Sequence, residues 1–314
     1  MTSVIVWTRW LRPTDDDGGL PDIVLQLTAI VLLLRPFEAG WISALVLVGA
    51  VLSLLFAAVR RCHATWLALS LLIGARIVAV WPTSDNHIYL LAYWCLAIGL
   101  ALVTAAPADT LAVSGRWLIG AAFALAVIWK GILSPDYLDG RFFRVTLLTD
   151  DRFADAVMLV GDMTAAQIRD ARVFLQPLPE GAELADVAWF GEPARLRMFG
   201  KIVTWGGLAL EGVVAVLWLM WLPRVAASAR HIALMLFCVT TYALAPVAAF
   251  GWLLATMGLA QCRRDERWLQ HAYVVVFFVV LLYAEIPWPR VLVEWLSPQS
   301  APLNHLLVAG RLGH

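Results

Sequence analysis

Long apolar runs, each closed by a short charged or proline-bearing turn, set the rhythm of this chain. They lie near residues 20–34, 41–59, 64–81, 87–105, 117–133, 202–222, 231–259 and 269–286, with RPFEAG, RRCH, WPTSDN, PADT, LPR and CRRDER among the turns. A hydrocarbon core of about 30 Å asks for roughly 20 apolar helical residues. Lipid admits only helices or closed barrels, and these runs are too continuous for the short alternating strands of a barrel. The pattern predicts an all-α fold, a polytopic transmembrane bundle of about eight spans, the first of them short.

The rhythm is interrupted once. Residues 134–199, between the fifth and sixth runs, form a long polar insertion rich in acidic side chains. Thr164 and Gln167 have the spacing of a capping box, and Ile168, Val173 and Phe174 fall close to helical spacing, so a short amphipathic helix or two is expected there, capping one membrane face. The chain then divides into an N-terminal arm (1–19), a bundle (20–286) that includes the insertion, and a proline-broken tail (287–314) lying at the interface with Trp288 and Trp295 at headgroup depth. The arm lacks the apolar core and small-residue cleavage site of a secretory signal, and is read as retained.

Eight spans put both termini on one side. Arg9, Arg12, Arg60, Arg61, Arg116, Arg224 and Arg230 fall on that side, against Arg35, Arg263, Arg264 and Arg267 on the other, a bias toward a cytoplasmic N-terminus in the cell membrane. Because neighbouring spans run antiparallel, the start of the fourth, the end of the fifth, the insertion and the start of the sixth share a face. His87, Lys130 and Lys201 are thereby expected at similar depth.

Composition sharpens the class. Hydrophobic residues make up 61% of the chain and charged residues 15%, far from soluble-globular usage, so the lipid bilayer is the first partner. The formal net charge is zero, which removes the basic surface a nucleic-acid partner would need. Cys62, Cys95, Cys238 and Cys262 show no C-x-x-C spacing and read as small apolar filler, with a bridge through Cys62 or Cys262 left open; no metal site is expected.

Ionisable groups inside apolar runs are the candidates for chemistry. Lys130, in WKGIL, sits in the last turn or so of the fifth run, where it either snorkels to the interface or serves as a base. Only Lys130 and Lys201 among the 23 basic residues are lysines, and lysine differs from arginine in being able to lose its proton when desolvated. His87 opens the fourth run beside Asp85, Asn86 and Tyr89. It is read either as an interfacial hydrogen-bonder behind a helix cap, or as the partner of Lys130 in one apolar hollow. Glu211 stands well inside the sixth run and Arg76 inside the third. They form a structural ion pair, or mark a wet path as in a transporter. There is no P-loop, dinucleotide fingerprint, H-E-x-x-H or G-x-S-x-G pattern.

NHIYL, Asn86 to Leu90, resembles the Asn-His-x-Tyr-Leu signature of the HTTM family, the membrane domain shared with vitamin K-dependent γ-glutamyl carboxylases. KGILSPDYLDG, with Lys130, Tyr137 and Gly140, resembles that family's lysine followed by an aromatic and a glycine. LEGVVAVLWLMWLPR and the run from His231 to Cys262 resemble the helices that follow. The resemblance implies a lipid-quinol cofactor of vitamin K or menaquinol type, Lys130 as the base that deprotonates it, and His87 with Asn86 positioning the ring. Tyr89, Trp129, Glu211 and Arg76 join the expected cofactor-binding set. Three features depart from the family: FCVTTY, ending at Tyr242, stands where a histidine is usual, only about fifty residues follow Cys262, and the separation of His87 and Lys130 along the chain is shorter than in the carboxylases. The departures put carboxylation of a protein substrate in doubt and leave the quinol pocket as the expectation, with a peptide or protein substrate at the 134–199 face. A non-catalytic anchor or partner subunit, and a small-solute transporter using Arg76 and Glu211, are the rival readings.

Overall fold

The computed structural model describes residues 19–34, 40–175, 191–220, 224–244, 247 and 249–285. Among them every regular element is helical. The expectations for the N-terminal arm and for the interfacial tail with Trp288 and Trp295 lie outside the described residues. The chain falls into two units: Met1–Val127, Leu210–Tyr242 and Val247–Leu281 form the first; Ile128–Ala209, Ala243–Pro246 and Leu282–His314 the second.

The first unit opens with α1 (Gly19–Leu34), α2 (Trp41–Leu55), the short α3 (Ala57–Arg60), α4 (His63–Ala79) and α5 (Asn86–Ala101). The second predicted run is broken at Phe56, whose backbone is extended at φ −121° and ψ 113°. Arg60 supplies the donors that the interrupted helix loses. Its guanidinium donates to the carbonyls of Ser53 (2.9 Å) and Leu54 (3.5 Å), and pairs with Asp22 of α1 at 2.9 Å. The Arg60 carbonyl in turn accepts from Trp66 Nε1 at 2.7 Å. Further along, α4 lies against α5 at Gly99, where a Cβ would come within 2.7 Å of a Leu67 methyl, and Ser70 Oγ donates to the carbonyl of Ala92 at 2.9 Å. Trp94 Nε1, fully buried, donates to Thr28 Oγ1 of α1 at 3.0 Å.

Next comes α6 (Pro107–Ile128), which starts ten residues before the predicted run. PADT is a helix start, not a turn: proline suits a first helical turn, having no N–H to leave unpaired, and Asp109 meets the positive end of the helix dipole. The helix α11 (Ala194–Leu219) also begins early, and α12 (Arg224–Leu244), α13 (Phe250–Leu259) and α14 (Arg267–Glu285) follow. The predicted 231–259 run is thus two helices. The first ends at Leu244, and Ala249, at φ 66°, starts the second. Tyr242 closes the break, its hydroxyl donating to the Val247 carbonyl and accepting from the Gly251 N–H. Every residue from Gly251 to Leu259 is buried, so α13 is a central helix of its unit, packed on α1.

The second unit carries a five-residue π-helical turn, Trp129–Leu133, then α7 (Pro135–Leu138), α8 (Arg141–Thr149), a 3-10 turn (Asp151–Phe153), α9 (Ala154–Val160) and α10 (Ala165–Leu175). The expected capping box forms: Gln167 Oε1 accepts from the Thr164 N–H at 2.8 Å, and Thr164 Oγ1 from the Gln167 N–H at 3.3 Å. Ile168 is buried as expected, whereas Val173 is 69% exposed and Ala171 takes the inward position, which is three residues beyond Ile168. With Leu147, Leu148, Phe153, Val157, Leu196 and Phe199, Ile168 and Ala171 make a small core of their own.

Two helices among the described residues are long and apolar enough to cross a membrane, Pro107–Leu133 and Ala194–Leu219, of 27 and 26 residues. At 1.5 Å per residue they measure about 40 Å, more than a hydrocarbon core of about 30 Å. Only 28% and 22% of their apolar windows are buried, against what the core helix of a soluble protein would show.

Candidate functional site

Lys130 belongs to the second unit, in the π-turn that ends the long apolar helix. A π-turn widens the helix by one residue and interrupts its i to i−4 ladder, a feature found at functional positions more often than elsewhere. Here it half-buries Lys130 and sets its Nζ 5.2 Å from the centroid of the Tyr137 ring. Tyr137 is buried, and Phe142 and Phe143 pack on it with centroids 5.5 Å away. Gly140 turns the chain with φ +80°, a conformation favouring glycine, and a Cβ there would lie 3.4 Å from Lys201 Cγ. The turn from Ser134 to Gly140 therefore touches both lysines, Tyr137 meeting Lys130 and Gly140 meeting exposed Lys201. Trp129 is 63% exposed.

His87 belongs to the first unit. Asp85 caps α5, its carboxylate accepting from the His87 N–H at 3.0 Å, so the acid before the apolar run does the capping. The same carboxylate oxygen is 2.7 Å from His87 Nδ1, in the geometry of an ion pair and not of a hydrogen bond. The imidazole lies on Phe250, centroids 4.2 Å apart, and Phe250 neighbours Phe123 and Phe237, which meet edge to face at 4.7 Å. Asn86 is exposed at the first position of α5 and Tyr89 half-buried one turn on.

Glu211 is buried in α11 at 9% exposure, and Arg76 is half-buried in the last turn of α4. Among the described residues no three His, Cys, Asp or Glu side chains gather as a metal site, and all four cysteines are free thiols, only Cys62 being exposed.

One polar cluster escaped the sequence reading, which used His231 only to bound a run. His231 is 1% exposed, with Nδ1 2.8 Å from the Tyr273 hydroxyl and Nε2 accepting from Arg230 Nε at 3.4 Å. Since Nε2 accepts, the ring proton sits on Nδ1 and Tyr273 is its acceptor. Arg230 lies over Trp218 at 5.5 Å, and Arg116 donates to the carbonyls of Trp218, Leu219 and Met220 at 2.8–3.2 Å, closing the C-terminus of α11. Forty-two residues separate His231 from Tyr273, so no local spacing announces the pair.

No protein-family model, curated protein or solved structure compared with the chain matches it.

Proposed function

We propose that this protein is a multi-pass integral membrane enzyme of HTTM type, resident in the cell membrane, that deprotonates a lipid quinol with Lys130 as general base. The observation that carries the reading is the grouping of Lys130, Tyr137 and Gly140 around a π-turn at the end of a helix long enough to cross the bilayer. The neutral amine takes the proton of a quinol hydroxyl, breaking O–H and forming N–H, and leaves a quinolate and an ammonium. The face of the Tyr137 ring attracts the cation so formed, by about 0.5–2 kcal/mol depending on how dry the site is, so the contact favours the product side of the transfer. His87, oriented by Asp85 on an aromatic floor, is the first unit's candidate for polarising a bound ring, and is tested by its own substitution.

The test is quinol oxidation by the purified chain in lipid nanodiscs supplied with menaquinol and oxygen. Lys130→Met is expected to abolish turnover while the protein stays folded and membrane-inserted, and His87→Ala to lower it. A Lys130→Met variant that turns over like the parent would end the proposal. A second reading, that of a partner subunit, draws on the exposed Phe142, Val145, Leu159, Val160 and Val173 of the insertion. It predicts a Lys130→Met chain indistinguishable from the parent and loss of partner when these five are made polar.

A further inference from the structure

A small cleft in the first unit is lined by Leu20 and Ile23 of α1, Leu259 of α13 and Val274 of α14, with Arg267, Gln270 and His271 at its rim. Its free volume is about 70 Å³. Pockets that enclose a whole small molecule run to roughly 300–1,000 Å³, so this one can hold only an end of something that lies mostly outside it. The polar groups say which end. Arg263 is engaged by Asp265 at 3.1 Å, and its N–H donates to Glu266 Oε2 at 2.9 Å, so both acids of the CRRDER turn are occupied. Asp22, the acid of the first turn of α1, is held by Arg60 and Arg61 at 2.9 and 3.2 Å. Gln270 spends an amide proton on the Arg263 carbonyl at 2.7 Å, and His271 Nδ1 lies 2.6 Å from the Arg267 carbonyl, which turns Nε2 away from the backbone. Among the described residues Arg267 has no carboxylate at ion-pair distance, and it is exposed. Among the described residues, then, a fork of guanidinium donors with no carboxylate on it stands beside an apolar cleft.

The helix surface below fixes what the rest of the occupant is. Arg267, His271, Val275 and Phe278 follow one another at spacings of four, four and three, a single stripe on α14. The stripe is polar for its first two members and exposed apolar for the next two, with Val275 at 59% and Phe278 at 38%. Trp268, 58% exposed in the first turn, has the amphipathic ring that settles at headgroup depth.

We propose that this cleft is a binding site for one anionic phospholipid, its phosphate on Arg267 and His271, its glycerol end in the cleft between α1, α13 and α14, and an acyl chain along Val275 and Phe278. The site rests on the membrane-embedded reading given above, and its test separates the two. The full chain is extracted with its native lipid shell and the lipids that stay with it after detergent exchange are counted by native mass spectrometry, then measured again in nanodiscs of equal phosphatidylglycerol and phosphatidylcholine. Retention of phosphatidylglycerol over phosphatidylcholine by about fivefold is expected, the ratio that one arginine at the surface supplies. Arg267→Gln is expected to bring the ratio near one, and so is Val274→Trp, which fills the cleft and leaves every charge in place. An unbiased parent, or a Val274→Trp chain that keeps the bias, would overturn the site, as would inorganic phosphate displacing the lipid at equal concentration. A chain that alkaline carbonate strips from membranes would instead sink the membrane reading itself.

Discussion

Lys130 carries the sharpest residue-scale contrast, because lysine and arginine both snorkel, both carry charge and both sit over an aromatic face, yet only lysine surrenders its proton. Lys130→Arg is accordingly expected to leave insertion, folding and the Tyr137 contact intact while lowering quinol turnover as far as Lys130→Met does; steady-state rates of the two variants side by side decide it, and an active arginine variant would mean that the residue only anchors. In the insertion, the Asp150 carboxyl is held below the usual carboxylate range, first by the hydrogen bond from the Arg152 side chain, 3.0 Å away, and then by the Arg152 N–H. A depressed folded-state value means the stabilisation is fully present above the unfolded value, near pH 4, and is lost as pH falls through the lower one. Amide exchange across α8 to α10 is expected to lose protection at the acid end of that window in the parent and to lose less in Asp150→Asn.

At the scale of elements, Arg60 stands in for a missing helical turn. Removing it orphans the carbonyls of Ser53 and Leu54, while Asp22 keeps Arg61, so Arg60→Ala is expected to cost about 2 kcal/mol, measured as a shift of the unfolding midpoint in detergent, and not the larger penalty of an unpaired buried charge. The capping box is the external control: Thr164→Ala should cost about 1 kcal/mol, confined to protection of α10. That box was legible in the sequence because its two residues are three apart and act on each other directly. A cap before His87 was legible too, though the sequence left open whether Asp85 or Asn86 supplied it, and so was the apolar character of most helices. The break at Phe56 was not, since neither glycine nor proline marks it and its compensation comes from a side chain that reads as a loop charge. The early start of α6 was misread because proline ends a helix in one position and begins one in another. His231 with Tyr273 was invisible, as a contact between distant helices leaves no period along the chain.

For the whole molecule, length is the tension. The apolar helices α1, α2, α4 and α5 have 16, 15, 17 and 16 residues, so each measures about 22–26 Å and falls short of a core of about 30 Å. Helices this short span only if the bilayer thins or the flanking turns enter the interface, each at a fraction of a kcal/mol per Å, which is affordable for four helices packed together and supported by two of about 40 Å. The alternative is that α4 and α5 form a hairpin buried among longer spans, entering and leaving on one face. The two arrangements differ at a pair of positions one helix apart. Cys62 is the exposed thiol, and the backbone N–H groups of Thr65 and Ala64 hold it below the usual thiol range, so it reacts readily with a maleimide at neutral pH. In sealed vesicles an impermeant maleimide is expected to reach Cys62 from one side and Thr83→Cys, carried in a Cys62→Ser chain, from the other, because α4 lies between them. Labelling of both from the same side would make α4 and α5 a re-entrant pair, reduce the count of spans by two, and place His87 at the inner tip of that pair and not at the end of a crossing helix.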